Sequence, residues 1–227
     1  MITQVRTTTT PCIDYVLTSG CSWTDNSLWA KDGNKRMRLP GWEVVDDSQI
    51  WPAVLAKKLD LPLVNLGKRG RGNQYIFDSI IDNLPLGGNP LVCVLWTEAT
   101  RIQLPNNKEI FRPQYVWSKK YSGEDKLFWN MLMERGFDID IVAQHSWRLY
   151  SLLEKLCILM DIPYIAGQGM KMWHDNHWKK TPETPEGLEM MSFWKDMHEL
   201  HLVDNTGHPS IKGHEYIAEE FYKQCTF

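Results

Sequence analysis

Leu91-Val92-Cys93-Val94-Leu95-Trp96 is a run of apolar residues with no polar break. A strand with one face in water alternates apolar and polar side chains, so an unbroken run predicts a strand covered on both faces, as in a parallel sheet between helical layers. Upstream, Gln74 to Leu84 places Ile76, Phe77, Ile80, Ile81 and Leu84 on one helical face, and Leu63-Val64-Asn65-Leu66 reads as another strand. Before that, Ser48-Gln49-Ile50-Trp51-Pro52 opens a helix that carries Ile50, Trp51, Val54, Leu55 and Leu59 at helical spacing, with Pro52 tolerated in its first turn. Tyr15-Val16-Leu17-Thr18 is the first strand, and it leads into Ser19-Gly20-Cys21-Ser22, where a turn must follow.

Downstream the alternation continues. A helix over 145–160 is marked by Trp147, Tyr150, Leu153, Leu156, Cys157 and Met160, and the short strand Tyr164-Ile165-Ala166 follows it. A closing helix runs from about Ser210 to Lys223, with Ile211, Ile217, Ala218 and Phe221 inward. Strands alternating with helices predict an α/β protein, a three-layer α/β/α sandwich on a parallel sheet, with any site outside the carboxyl ends of the strands. The 227 residues form one domain on this reading, with insertions at about 102–144 and 167–202 that are rich in Trp, Met, Lys and acidic residues.

The formal net charge of −3 gives no general attraction to nucleic acid or anionic membrane, and no segment is long and apolar enough to span a bilayer. The first twenty residues, MITQVRTTTTPCIDYVLTSG, place threonines where a signal peptide has its apolar stretch, so cytoplasmic synthesis is expected, which also suits a virion component released by lysis. Cys12, Cys21, Cys93, Cys157 and Cys225 are odd in number and without CxxC spacing, which suits reduced thiols better than a disulfide framework or a zinc site. Of the 11 Trp, Trp117, Trp129, Trp173, Trp178 and Trp194 lie outside the core-forming runs, where they either close over apolar surface or offer stacking platforms to sugars.

Ser22 follows the first strand, where a side chain is exposed at the carboxyl edge of the sheet as a nucleophile requires; serine is equally favoured there as a turn residue. Val203-Asp204-Asn205-Thr206-Gly207-His208-Pro209-Ser210 puts an acid and a histidine in one loop before the last helix. A carboxylate there can hold the imidazole in one tautomer while the other ring nitrogen takes a proton from a serine hydroxyl. An Asx turn at Asp204 and an ordinary loop histidine at His208 are the plainer reading of the same residues.

Three ordered blocks make the chain resemble the SGNH, or GDSL-like, hydrolases, especially divergent phage and bacterial members. Leu17-Thr18-Ser19-Gly20-Cys21-Ser22-Trp23-Thr24 is similar to the family's GDS block with Cys21 in place of the acid, and the resemblance implies Ser22 as nucleophile. Asn65-Leu66-Gly67-Lys68-Arg69-Gly70-Arg71-Gly72-Asn73 is similar to the second block, which implies that the Gly70 N–H contributes to an oxyanion hole. Asp204 through His214 resembles the DxxHP block with its following S-x-x-G-H. Leu95-Trp96-Thr97-Glu98-Ala99-Thr100-Arg101 lacks the family's third-block Asn, which leaves Thr97 or Asn73 as substitute donors and Arg101 as a further substrate-binding candidate, with Glu98 expected to point away from the oxyanion. Acid and histidine are separated by three residues instead of two, so Asn205 holds the acid position by strict spacing; Asp204 is preferred because a carboxylate stabilises imidazolium better than an amide.

The resemblance implies a flavodoxin-like SGNH fold and a serine esterase that needs no cofactor and no metal, acting on an acylated small molecule or glycan. The exposed aromatic rings point to an O-acetylated glycan. Nucleic acid and membrane are not expected partners, and homo-oligomeric or virion assembly is compatible with the chain. Competing readings are a Cys21 nucleophile, a metal site at His174-Asp175-Asn176-His177 with His198-Glu199-Leu200-His201, and phosphate binding by Gly67 to Gly72. From another class comes a binding or virion protein that keeps the fold with weak or lost catalysis.

Overall fold

The structure is a computed structural model and describes residues 12–25, 45–84, 87–99, 101–103, 110–111, 131, 134, 139–169, 191–204 and 207–225. Along the chain these form β1 (Tyr15–Gly20), α1 (Trp51–Leu59), β2 (Leu63–Asn65), α2 (Asn73–Asn83), β3 (Pro90–Trp96), β4 (Ile102–Gln103) and β5 (Ile110–Phe111). They continue with α3 (Ile139–Leu159), β6 (Tyr164–Gln168), β7 (Met191–Ser192), α4 (Phe193–Glu199) and α5 (Ile211–Tyr222). The main sheet has five strands in the order β2-β1-β3-β6-β7, every pairing parallel, and β4 with β5 makes a separate antiparallel pair.

The apolar run of β3 is continuous because its alternate residues serve two different cores. Val92, Val94 and Trp96 pack with Ile76 and Ile80 of α2 and with Trp147, Tyr150 and Leu153 of α3. Leu91, Cys93 and Leu95 face the other way, into Trp51 and Leu55 of α1, Phe193 and Met197 of α4, and Ile217 and Phe221 of α5. Val16 and Leu17 of β1 and Ile165 and Ala166 of β6 divide between the same two layers. The three-layer α/β/α architecture predicted from the alternation is the one observed.

Phe221 is the hub of the second layer. Its ring stacks on Trp51 with centroids 4.7 Å apart and on Phe193 at 5.7 Å, so α1, α4 and α5 meet on one side chain. Lys58 and Glu219 pair at 2.9 Å across α1 and α5, but at 40% and 42% exposure the pair adds little to this aromatic contact.

Several boundaries differ from the sequence reading. β1 runs on through Ser19 and Gly20, because both residues continue the ladder to Val94 and Leu95 of β3. α3 begins six residues earlier than the apolar pattern suggested and takes up the end of the stretch read as the first insertion. Within the stretch read as the second insertion, β7 joins the sheet edge and α4 buries Phe193 and Met197, one helical turn apart, in the core. A two-residue strand has no periodicity to detect, although the Phe193/Met197 spacing is a helix signal.

Replacing Phe221 with Ala is expected to lower unfolding stability by about 3–5 kcal/mol, since a buried ring that joins three helices leaves a cavity no neighbour can fill. Urea denaturation of the two proteins measures this, and an unchanged midpoint would contradict the packing described.

Candidate active site

The strand order reverses beside β1: the chain passes to β2 on one side and then to β3 on the other. In an open α/β sheet the crevice outside the carboxyl ends at such a point is where ligands bind. Ser22 sits there. Beyond Gly20 the chain makes one tight turn in which the N–H groups of Thr24 and Asp25 both reach the Cys21 carbonyl, at 3.0 and 3.1 Å. Cys21 and Trp23 are wholly buried and Ser22 between them is 9% exposed, so two core residues hold the nucleophile candidate in place.

The far end of the chain supplies its partner. His208 Nε2 lies 3.2 Å from Ser22 Oγ. With Nδ1 carrying the ring proton, Nε2 accepts from the hydroxyl. The loop that carries His208 is pinned by a bridge between Val203 and Pro209, and by reciprocal bonds between Asp204 and His208. The Asp204 N–H donates to the His208 carbonyl at 2.7 Å, and Asp204 Oδ1 accepts the His208 backbone N–H at 3.1 Å. Asp204 therefore fixes the histidine's backbone. Asn205, the other acid-position candidate, lies outside the described residues.

The helix after this loop explains the S-x-x-G-H pattern. Ser210 caps α5 by accepting the Gly213 N–H at 3.1 Å and donates its own hydroxyl to the Leu202 carbonyl at 3.0 Å. Gly213 is needed for close approach, since a Cβ there would lie 2.2 Å from the Leu202 carbonyl oxygen. His214 is buried, and its Nδ1 accepts the Trp51 backbone N–H at 3.2 Å. That N–H opens α1, whose N-cap residue Ile50 has no side chain able to receive it. Burial first, and the nearby His208 second, push the His214 pKa from 6.5 down to about 3, so the ring is neutral and able to accept.

The second block lies against the nucleophile turn. Asn65 Oδ1 accepts from the Thr18 hydroxyl and the Gly67 N–H, at 2.9 and 3.0 Å, and its Nδ2 donates to the Thr24 carbonyl at 2.8 Å. A Cβ at Gly67 would stand 2.6 Å from the Thr24 carbonyl oxygen, so only glycine lets the two backbones meet. Gly70 has φ +72° and open space where a side chain would begin. It sits third in a turn closed by the Arg71 N–H on the Lys68 carbonyl at 3.3 Å.

The remaining donor candidates form a buried floor beneath β3. Asn73 is 1% exposed, and its Nδ2 has four acceptors in range: Tyr150 Oη at 2.8 Å, Ser146 Oγ and the Glu98 carbonyl at 3.2 Å, and the Thr97 carbonyl at 3.3 Å. Its Oδ1 accepts the Thr97 N–H at 3.0 Å. An oxyanion would have to compete with these partners for two N–H donors. Thr97 is wholly buried, and its carbonyl also accepts from Gln168 Nε2 at 2.7 Å. Arg101 pairs with Glu98 at 3.0 Å, both side chains 1% exposed, and its Nη1 reaches the Arg71 carbonyl at 3.4 Å. Glu98 is thus directed to a guanidinium.

Of the Trp residues considered as sugar platforms, 117, 129, 173 and 178 fall outside the described residues, as does the side chain of Trp194. Trp23, Trp51, Trp96 and Trp147 are all buried. No group of three metal-ligating side chains occurs among the described residues, and 174–177 lie outside them. No helix among the described residues is long and apolar enough to cross a membrane. Asn65 and His214 stood inside quoted blocks, but only the fold shows that they join distant backbone groups.

No protein-family model and no curated protein matches the sequence. The chain is similar to solved G-D-S-L lipolytic proteins. One is a member of the lipolytic protein G-D-S-L family from Veillonella parvula DSM 2008, 12% identical over 93% of this chain and 98% of that one, with a TM-score of 0.38. Another similar structure is a mutant acetyl-xylooligosaccharide esterase from Geobacillus Stearmophilus, 13% identical over 94% of each chain, with a TM-score of 0.41.

A histidine held neutral in the fold but protonated when unfolded makes stability rise with pH between the two pKa values, here from about 3 to 6.5. His214 is therefore expected to add a slope of up to about 1.4 kcal/mol per pH unit in that window, with its contribution complete above pH 6.5. In His214→Asn, whose Oδ1 can accept the same N–H without titrating, this slope should be absent. Urea titrations at several pH values compare the two proteins, and identical slopes would contradict the assignment.

Proposed function

We propose that the chain is a serine hydrolase that cleaves an acyl ester through Ser22, with His208 as general base and Asp204 as the acid of the same loop. The 3.2 Å approach of His208 Nε2 to Ser22 Oγ at the sheet's switch point carries the reading. A hydroxyl beside an imidazole, on a turn whose flanking side chains are buried, has the geometry of an activated nucleophile.

In the first step His208 takes the Ser22 proton while Oγ attacks the ester carbonyl, and the tetrahedral oxyanion is met by the backbone N–H groups of Ser22 and Gly70. As the adduct collapses, the C–O bond to the leaving group breaks and His208 returns the proton to the departing alkoxide, giving the alcohol and an acyl-serine. Water then attacks the acyl-serine, His208 accepts one of its protons and gives it to Ser22 Oγ, and the carboxylic acid leaves. The acyl group in this reading is a small one such as acetyl, carried by a glycan or small molecule. The Trp-rich stretches of the sequence are the support for the glycan.

One observation favours a second reading. Asn73 is held within the floor and Glu98 is paired with Arg101, so the side chains near β3 are occupied with one another. A fold that keeps Ser22 and His208 while binding rather than cleaving a ligand, as a virion component would, fits that arrangement.

Turnover of 4-nitrophenyl acetate and of acetylated oligosaccharides, together with fluorophosphonate labelling, decides between them. An enzyme is labelled at Ser22, and Ser22→Ala loses on the order of 10⁴-fold or more in kcat. Cys21→Ala should retain its turnover. Absence of both labelling and turnover in the unaltered protein would overturn the hydrolase reading in favour of binding.

A further inference from the structure

Asp25 is a carboxylate that the catalytic scheme above does not use. It is 2% exposed and lies three residues beyond Ser22, in the turn closed by its own N–H on the Cys21 carbonyl. Carboxylates are rarely buried without donors. Its Oδ2 accepts the backbone N–H of Arg69 at 2.5 Å, a short charge-assisted bond across 44 residues.

The bonded residue adjoins Gly70. The Lys68–Arg71 turn is closed by the N–H of its fourth residue, and that closing bond makes no use of the N–H of its third, Gly70. The loop is held at Lys68, whose N–H donates to the Gly20 carbonyl at 3.0 Å, and braced at Arg71, whose guanidinium lies 5.4 Å from the centre of the Tyr75 ring. Tyr75 in turn donates to the Leu66 carbonyl at 3.0 Å. Between these supports, the first peptide of the turn, Lys68–Arg69, is held from the nucleophile's own turn by Asp25.

We propose that Asp25 is a positioning residue, which fixes the Lys68–Arg69 peptide and thereby sets the adjoining peptide so that its Gly70 N–H faces the carbonyl oxygen of an ester attacked by Ser22. The inference rests on the hydrolase reading and assigns it a further part. One turn then presents both halves of the machinery: Ser22 to His208, and Asp25 to the loop that receives the oxyanion. A donor that strengthens its bond only as charge develops acts on kcat and leaves substrate binding nearly unaltered. Misplacement of such a group by a fraction of its hydrogen-bond length costs on the order of 100-fold.

The test compares the unaltered protein with Asp25→Ala and Asp25→Asn, whose side-chain oxygen can accept the same N–H. Steady-state kinetics on 4-nitrophenyl acetate, inhibition by phenylboronic acid and amide exchange at Arg69 and Gly70 are measured for each. A boronate forms a tetrahedral adduct on serine, so its affinity follows the oxyanion site. Asp25→Ala is expected to lose on the order of 100-fold in kcat with little change in KM, to bind boronate more weakly in proportion, and to exchange faster at the Arg69 amide. Asp25→Asn should recover most of kcat and boronate affinity. A folded Asp25→Ala protein with undiminished kcat, or a loss that appears in KM with boronate affinity intact, overturns the proposal and leaves the hydrolase reading standing. If Asp25→Ala does not fold, an Asp25→Asn protein that folds and loses as much as a Gly70→Pro variant also overturns it. No ester turnover in the unaltered protein removes the hydrolase reading itself, and this assignment with it.

Discussion

Helix α1 begins after Ile50, a residue with no side-chain acceptor, and the first N–H of that helix is received by the His214 ring from a helix that starts 160 residues later. The first-turn donors of a helix need partners, and in a buried setting water is not there to provide them. That requirement joins the two ends of the chain. It sets α5 against α1, with Phe221 stacked on Trp51, and the loop leading into α5 is thereby brought over the turn that follows β1. The Ser22–His208 approach rests on this join together with the Asp204–His208 bonds that pin the loop.

A second set of bonds gathers the loops at the crevice. Asn65 reaches β1, the nucleophile turn and its own loop with one carboxamide, while Gly67 lets its backbone lie against Thr24. Asn73 does the corresponding work under β3, where it holds Thr97 and Glu98 to α2 and α3. Each amide replaces water for several backbone groups at a place where three loops converge. Such networks are rigid when fully satisfied, which suits a site whose donors must be in place before reaction.

The sheet and its covering helices were legible because Leu91–Trp96 and the i, i+3, i+4 spacings in α1, α2 and α5 report burial directly. The pairing of Ser22 with His208 was suggested by the ordered blocks, with Ser22 in the turn after the first strand and His208 in the loop before the last helix. The sequence could not show that Asp204 would bind the backbone of its neighbour, or that Asn73 would be held inside the floor, because amide and carboxylate partners are chosen by three-dimensional proximity. β7 was missed for a simpler reason: a pair of residues at a sheet edge carries no period, and Gly167 and Gln168 of β6 define it from the other side.

That brevity has a use of its own. Among the described residues, the outermost strands of the main sheet are β2, with three residues, and β7, with two. A long exposed edge offers a row of unpaired backbone groups to any passing chain, and proteins commonly shorten the strands there to deny it. With its longest strand, β3, enclosed between neighbours, the described sheet gives little foothold for strand-by-strand association.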